Sequence, residues 1–164
     1  MKLNQLLYTM NFLSIIVVSQ MILAFLPNVQ ITTVLFLVYF NQNKFKDSLT
    51  LIISYTIIMG LIWGINLFLI PMGFSWFFFL ILYWIKKDDN IYYLAVKGII
   101  MGNILGFTYG IFNLILYNWR LNTFFAYIVA DIPFQIIMSI TNFITILVLF
   151  ERIVNLNTFL KKGE

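Results

Sequence analysis

The sequence contains no cysteine and no histidine, and only 10% of its residues are charged. Without cysteine, the chain has no disulfide, thiol nucleophile or thiolate metal ligand. Without histidine, it lacks the commonest metal ligand and the commonest general base. A phosphate-binding loop and paired carboxylates on one helix turn are missing as well. We therefore expect no enzymatic activity, no cofactor and no metal site.

Hydrophobic side chains make up 62% of the 164 residues. Soluble domains have roughly 45–50% apolar residues, and one small core cannot bury such an excess. The composition therefore indicates a lipid bilayer as the surrounding solvent. The first apolar run, 6–26, is longer than the roughly 7–15 apolar residues of a signal peptide, so we expect it to be a span. The basic residues lie at the edges of apolar runs, which predicts no nucleic-acid partner.

Six apolar stretches predict an all-α integral membrane protein with six transmembrane helices in one domain, 1–164. The stretches cover residues 6–26, 29–40, 49–70, 74–85, 92–117 and 132–150. The first ends at Pro27-Asn28, and the third is closed by Pro71-Met72-Gly73. The second and fourth are shorter than the about 20 helical residues that a hydrocarbon core requires. They are either short helices extended by polar flanks or re-entrant segments.

The distribution of lysine and arginine favours six spans, two of them short, with cytoplasmic N- and C-termini. In that arrangement Arg120 is the basic residue that lies outside. The cytoplasm receives Lys2, Lys44, Lys46, Lys86, Lys87, Lys97, Arg152, Lys161 and Lys162. Re-entrant segments would instead move Lys44 and Lys46 to the outer face, against the positive-inside rule.

Glycine recurs at every fourth position along the fifth stretch, at Gly98, Gly102, Gly106 and Gly110. On a helix these positions form one smooth groove, which allows another backbone to approach closely. The groove is interpreted as a helix-packing surface, with a cavity wall as the alternative. Asn113 and Tyr117 fall on the same face and keep that alternative open.

Polar residues form a stripe along the sixth stretch. Asp131, Gln135, Met138, Asn142 and Thr145 recur at steps of four and three. Polar side chains are costly in lipid, so the stripe faces either a cavity or neighbouring helices to which it donates hydrogen bonds. Asp131 is also the expected N-cap of this helix, with Pro133 in its first turn.

The third stretch places Tyr55, Met59, Trp63 and Asn66 on one face, with Asn66 level with Asn113 and Asn142. Converging amides and aromatic rings predict a pocket for a neutral or mildly polar aromatic molecule. Charged residues are missing from the predicted middle of the membrane, which argues against an ion-coupled carrier. Transport would then require energy from a partner protein.

Four sequence blocks resemble the substrate-specific S components of energy-coupling factor (ECF) transporters, in the branch associated with cobalamin uptake. The first is Leu26-Pro27-Asn28-Val29-Gln30-Ile31-Thr32-Thr33. The second is Gly64-Ile65-Asn66-Leu67-Phe68 with Gly73-Phe74-Ser75-Trp76. The third is Gly102-x-x-x-Gly106-x-x-x-Gly110-x-x-Asn113, and the fourth is Asp131-Ile132-Pro133-Phe134 with Asn142-Phe143.

The resemblance implies a multi-pass subunit in the plasma membrane of a prokaryote that captures a vitamin or its precursor from outside. Its implied partners are a transmembrane coupling protein and two ATPase subunits. The nearest counterpart of the family's docking motif is Ser14-x-x-x-Val18. Where the family often carries an acid and a histidine on its last helix, this chain has Gln135 and Met138, which leaves the ligand open.

The candidate substrate contacts combine the polar stripe with residues of the predicted outer turns. They are Asn28, Gln30, Asn66, Trp76, Asn113, Trp119, Arg120, Asp131, Gln135 and Asn142. The amides would serve as hydrogen-bond donors and acceptors, and tryptophan would stack on a ring. Arg120 and Asp131 would either pair with each other or meet a charged group of the ligand. Two alternatives remain: a ligand-free structural or accessory membrane protein, and a small self-sufficient carrier.

Overall fold

The computed structural model describes residues 3–26, 28–87, 90–116 and 119–162, with side chains up to residue 158. Lys2, Pro27 and Tyr117 lie outside the described residues, as do the side chains of Lys161 and Lys162. The described chain is helical, which confirms the all-α prediction. Its helices are α1 (Leu3–Ile22), α2 (Thr32–Gln42), α3 (Phe45–Trp63), α4 (Leu69–Ile85), α5 (Ile91–Leu116) and α6 (Leu121–Lys162).

Consecutive helices run antiparallel, so the start of α1 and the end of α6 lie at the same end of the bundle. Thr9 of α1 and Tyr39 near the end of α2 share a hydrogen bond of 2.7 Å. At the other end of the same pair, the Thr32 hydroxyl donates to Oε1 of Gln20 over 2.6 Å. Asn157 of α6 donates to the Tyr8 hydroxyl over 2.6 Å, which brings the last helix back to the first. We call this the terminal end, and the opposite end, with connections 23–31 and 64–68, the far end.

The short helix α2 occupies the centre of the bundle. Every residue from Thr32 to Phe40 is buried, and the other five helices surround it. A helix that is apolar on all sides is stable only where it is enclosed. Its 11 residues rise about 16 Å, roughly half of a hydrocarbon core. Because it is so short, α2 fills only part of the bundle axis.

Four helices are long and apolar enough to cross a membrane in the described part of the chain: α1, α3, α5 and α6. Helix α4 is apolar but has 17 residues, and α2 has 11. The expected contrast between long and short helices is therefore present.

The break between the third and fourth helices lies earlier than the sequence predicts. Helix α3 ends at Trp63, and Gly64 adopts a φ of +89°, a conformation that glycine tolerates best. Pro71, expected in the break, instead lies in the first turn of α4, where a missing N–H costs no hydrogen bond.

The predicted start of the last helix at Asp131 is wrong. Helix α6 begins at Leu121 and continues unbroken for 42 residues, about 63 Å. Asp131 therefore lies inside the helix and is not its N-cap, and Pro133 lies in the helix interior. Membrane helices tolerate interior proline because neighbouring groups satisfy the freed carbonyl. The preceding segment, 121–130, contains no glycine or proline that would stop a helix.

A buried lysine secures the terminal end of α4. Nζ of Lys97 on α5 donates to the carbonyl oxygens of Tyr83 (3.1 Å) and Lys86 (2.5 Å), and lies 4.7 Å from the Tyr93 ring centroid. These carbonyls belong to the last turn and C-cap of α4, where positive charge is favourable. Lys97 therefore stabilises the helix end and is not a charge facing lipid.

Candidate functional site

A cavity lies at the far end of the bundle, beyond the N-terminus of α2. Its volume is about 280 Å³, and we call it the central cavity. Five helices and the α1–α2 connection contribute its walls. The lining includes Gln20, Asn28, Gln30, Tyr55, Met59, Trp63, Met72, Trp76, Leu105, Tyr109 and Met138. The space exists because the central helix is too short to fill it.

A smaller cavity of about 170 Å³ adjoins the central one, and we call it the side cavity. It lies between α5 and α6 and is lined by Asn28, Gly102, Leu105, Gly106, Tyr109, Tyr127, Asp131, Phe134, Gln135 and Met138. Asn28, Leu105, Tyr109 and Met138 belong to both linings. The two cavities are therefore compartments of one site, aromatic on one side and acidic on the other.

The aromatic wall of the central cavity is held rigidly. The Trp76 side chain is only 2% exposed, and its ring centroid lies 4.2 Å from that of Phe36 on α2. The Tyr55 ring meets Trp76 edge-on, at 6.0 Å and 85°. Because these rings have few rotatable bonds and are packed on several sides, the wall presents a fixed apolar surface to a flat ligand.

Amide side chains line the base of the central cavity, near the start of α2. Nε2 of Gln30 lies 3.5 Å from the Thr33 hydroxyl, and Gln30 is 9% exposed. Asn28 has a φ of 60°, a left-handed conformation that asparagine tolerates better than most residues. The tight connection between α1 and α2 thus carries two amides into the site.

The acidic compartment depends on a glycine of α5. Nε2 of Gln135 donates to Oδ2 of Asp131 over 2.9 Å, and both side chains lie against Gly106. A Cβ atom added to Gly106 would lie 2.6 Å from Cδ of Gln135. The glycine therefore makes room for the acid–amide pair.

The glycine groove as a whole is filled by α6. A Cβ on Gly98 would meet Asn142 at 3.3 Å, and one on Gly102 would meet the Ser139 hydroxyl at 2.6 Å. The predicted helix-packing surface is therefore confirmed. One part of the groove also forms a cavity wall, which was the alternative, because Gly102 and Gly106 line the side cavity.

The candidate contacts divide into two groups in the structure. Those brought together at the site are Asn28, Gln30, Trp76, Asp131 and Gln135. Those that do not line either compartment are Asn66, Asn113, Trp119, Arg120 and Asn142.

The residues outside the site have other contacts. Oδ1 of Asn66 accepts a hydrogen bond from the Phe68 backbone N–H over 3.0 Å, in the exposed turn before α4. Nδ2 of Asn113 donates to the Tyr109 carbonyl of its own helix over 3.0 Å. Asn142 is fully buried, and its Nδ2 donates to the Gly98 carbonyl over 3.0 Å. Asn142 therefore joins α5 to α6.

Trp119 and Arg120 are exposed in the turn between α5 and α6. Arg120 directly precedes the first residue of α6, and Asp131 lies inside that helix. The two residues are therefore separated by about 16 Å along the axis of α6. That distance excludes the expected direct pairing between Arg120 and Asp131.

Three lining residues with polar groups were absent from the sequence prediction: Gln20, Tyr109 and Tyr127. Gln20 is a polar residue within an apolar run, which is itself a signal. Tyr127 precedes Asp131 by one turn, and the spacing 127, 131, 135 marks one helix face. The spacing was not recognised because the helix was expected to begin at Asp131, which left Tyr127 outside it.

The side chains of the site provide hydrogen-bonding groups and aromatic surfaces. In the described part of the chain, histidine, cysteine, aspartate and glutamate form no group of three or more that would hold a metal ion. The site offers amide donors and acceptors, one carboxylate and several rings around a small volume. No family model, curated protein or solved structure matches the chain.

Proposed function

We propose that this chain is the substrate-binding membrane subunit of an ECF-type uptake transporter. It captures a vitamin or vitamin precursor from outside and delivers it by docking on a coupling protein carried by two ATPase subunits. The observation that carries the proposal is the two-compartment site at the far end of the bundle, with its rigid aromatic wall and convergent amides. Such a lining is typical of small-molecule binding sites.

The orientation of the site follows from charge. Lys44, Lys46, Lys86 and Lys87 flank α3 and α4 at the terminal end, whereas Arg120 lies at the far end. The positive-inside rule then places the terminal end in the cytoplasm of a prokaryotic cell and the site on the outside. In the proposed arrangement the chain passes between the two sides six times, with the short α2 enclosed by the other helices.

The size of the site restricts the ligand. The central cavity of about 280 Å³ lies just below the roughly 300–1,000 Å³ range of drug-sized sites. A compound of one or two rings fits this volume, whereas the macrocycle of cobalamin is much larger. The volume therefore favours a small vitamin or precursor over the ligand suggested by the sequence resemblance.

A stripe of α1 is available for docking on the coupling protein. Ser14 and Val18 are both exposed, and the Ser14 hydroxyl donates to the Met10 carbonyl over 3.0 Å. The same stripe continues through Leu3, Leu7, Met10 and Met21. Because the serine satisfies its donor within its own helix, the stripe presents an almost wholly apolar surface to a partner helix.

The alternative of a ligand-free structural protein has less support. That alternative has the chain packed through its glycine groove without a ligand, and α6 does fill the groove, but Gly102 and Gly106 also line the side cavity, which packing alone does not require. A self-sufficient carrier would need ion-coupling groups within the membrane, whereas the buried Lys97 secures the terminal end of α4 and the described lining of the two cavities offers a single carboxylate, Asp131, bonded to the Gln135 amide. The site therefore favours a binding subunit with a separate source of energy.

The test separates binding from transport. The protein is purified alone, and small molecules that copurify are identified by mass spectrometry and titrated back. We expect binding without accumulation in vesicles, and accumulation only when the coupling protein and ATPases are present. Concentrative uptake by the protein alone would establish the carrier instead. A preparation with no copurifying molecule, no thermal stabilisation by candidate vitamins and no uptake with the partners would favour the structural protein.

A further inference from the structure

Asp131 is an acid in a site that has no basic residue among its described lining. Neither compartment is lined by lysine or arginine. The described residues give Asp131 one side-chain hydrogen bond, the 2.9 Å bond from Nε2 of Gln135 to Oδ2. A neutral amide orients a carboxylate but does not balance its charge.

The position of Asp131 makes that imbalance costly. It follows the start of α6 by about 15 Å along the helix axis and is partly buried. Ionisable groups at such depth pair with an opposite charge or mark a substrate path. Arg120 is too far along the same helix to serve, as shown above. None of the described basic side chains lines the site to balance the charge of Asp131.

The aromatic compartment indicates what carries the charge. Tyr109 lines both cavities, so a ring held beside Tyr109 in the central cavity lies next to the side cavity that Asp131 lines. Cations of aromatic heterocycles gain both from aromatic faces and from a carboxylate. No other charged side chain lines the described compartments to compete for such a ligand.

We propose that the site is selective for small aromatic heterocycles with a positively charged nitrogen, for which Asp131 supplies the counter-charge. This inference rests on the proposed function, because it specifies the ligand class of the same site. The ring occupies the central cavity, and the charged nitrogen enters the side cavity. Gln135 holds the carboxylate in place through its bond to Oδ2.

The test uses three bicyclic probes of similar shape with the purified full-length protein: the cation N-methylquinolinium, the neutral methylnaphthalene and the anion naphthoate. Binding is measured by titration calorimetry and by the quenching of tryptophan fluorescence, since Trp63 and Trp76 line the cavity. We expect the cation to bind best. Asp131→Asn should weaken cation binding about tenfold or more, the usual loss for a charge-assisted contact. Binding of the neutral probe should change little.

Glu151→Gln provides the matched control. It removes one acid from the exposed surface of the same helix, 20 positions further on and remote from the cavities. Cation affinity should remain that of the parent protein. Asp131→Glu keeps the charge and should retain most of the affinity. If Asp131→Asn proves unstable, the affinities of the three probes for the parent protein and for Asp131→Glu still show whether the site prefers the cation.

The outcomes separate this inference from the proposed function. If the neutral probe binds as well as the cation, or if Asp131→Asn leaves cation binding unchanged, the charge preference is wrong and the binding-subunit proposal stands. If no probe binds at millimolar concentration but the partners support uptake of another compound, the inference alone fails. If both binding and uptake are absent, both proposals fail.

Discussion

Replacement of Gly106 by alanine tests the acidic compartment without mutating Asp131 or Gln135, its two polar side chains. The new Cβ would lie 2.6 Å from Cδ of Gln135, much closer than ordinary van der Waals contact. The atoms in the way belong to the outer parts of the Gln135 and Asp131 side chains. These side chains are flexible, so we expect them to move aside while the helices stay in place. The acid–amide pair would then be displaced from the site.

The magnitude follows from two opposing effects. Overpacking costs typically about 1–3 kcal/mol, and flexible side chains place this case at the lower end. Alanine in a helix gains about 0.5–1 kcal/mol over glycine. The net change in the free energy of unfolding should therefore be within about 1 kcal/mol. Ligand affinity, in contrast, should fall about tenfold, because Asp131 and Gln135 no longer hold their positions.

The assay compares thermal unfolding in detergent with titration of the copurifying ligand. Gly110→Ala is the matched control, because its Cβ would meet Cδ1 of Ile128 at 2.8 Å, outside both cavities. It should alter stability by a similar amount and leave affinity unchanged. Parental affinity in Gly106→Ala would refute the assignment of the acid–amide pair to the site. An equal loss of affinity in both variants would point to a general disturbance of α5–α6 packing.

Three further predictions concern parts of the molecule outside the site. Asn142→Ala removes the bond to the Gly98 carbonyl and should lower stability by about 0.6–2 kcal/mol, measured by thermal unfolding, with ligand affinity retained. In intact cells an impermeant thiol reagent should label a single cysteine placed at position 122 and should not label one placed at position 43. Labelling at position 43 would contradict the proposed orientation. Val18→Trp on the exposed stripe of α1 should reduce uptake with the partner proteins more than it reduces binding; equal losses would exclude that stripe as the docking surface.

Several features of this protein were readable from the sequence because they depend on local properties. The excess of apolar residues and the contrast of long and short stretches predicted an all-helical chain with membrane-spanning candidates, and the structure has both. The glycine repeat predicted a close helix contact, which α6 provides. Periodicity also grouped Tyr55, Met59 and Trp63, which line one cavity wall. Each inference needs only residue spacing and the preference of side chains for water or lipid.

Helix boundaries next to proline were less predictable. Asp131 and Pro133 have the chemistry of a helix start, and in an isolated segment that interpretation would be favoured. In the structure α6 passes through both without a break. The reason is tertiary, because packing against α5 stabilises the part of α6 that contains Asp131 and Pro133 and offsets the hydrogen bond that proline cannot make. The free energy of this packing cannot be read from the sequence alone.

The composition of the site was decided by the tertiary structure. Gln135 and Asn142 belong to one stripe, yet only Gln135 reaches a cavity, whereas Asn142 is packed against Gly98. Periodicity specifies the face on which a side chain lies but not what that face meets at a given depth. The decisive element is α2, whose 11 residues leave the far end of the bundle axis unfilled. The sequence determined a short apolar helix, and the enclosure of that helix by the other five left a cavity at the far end of the bundle.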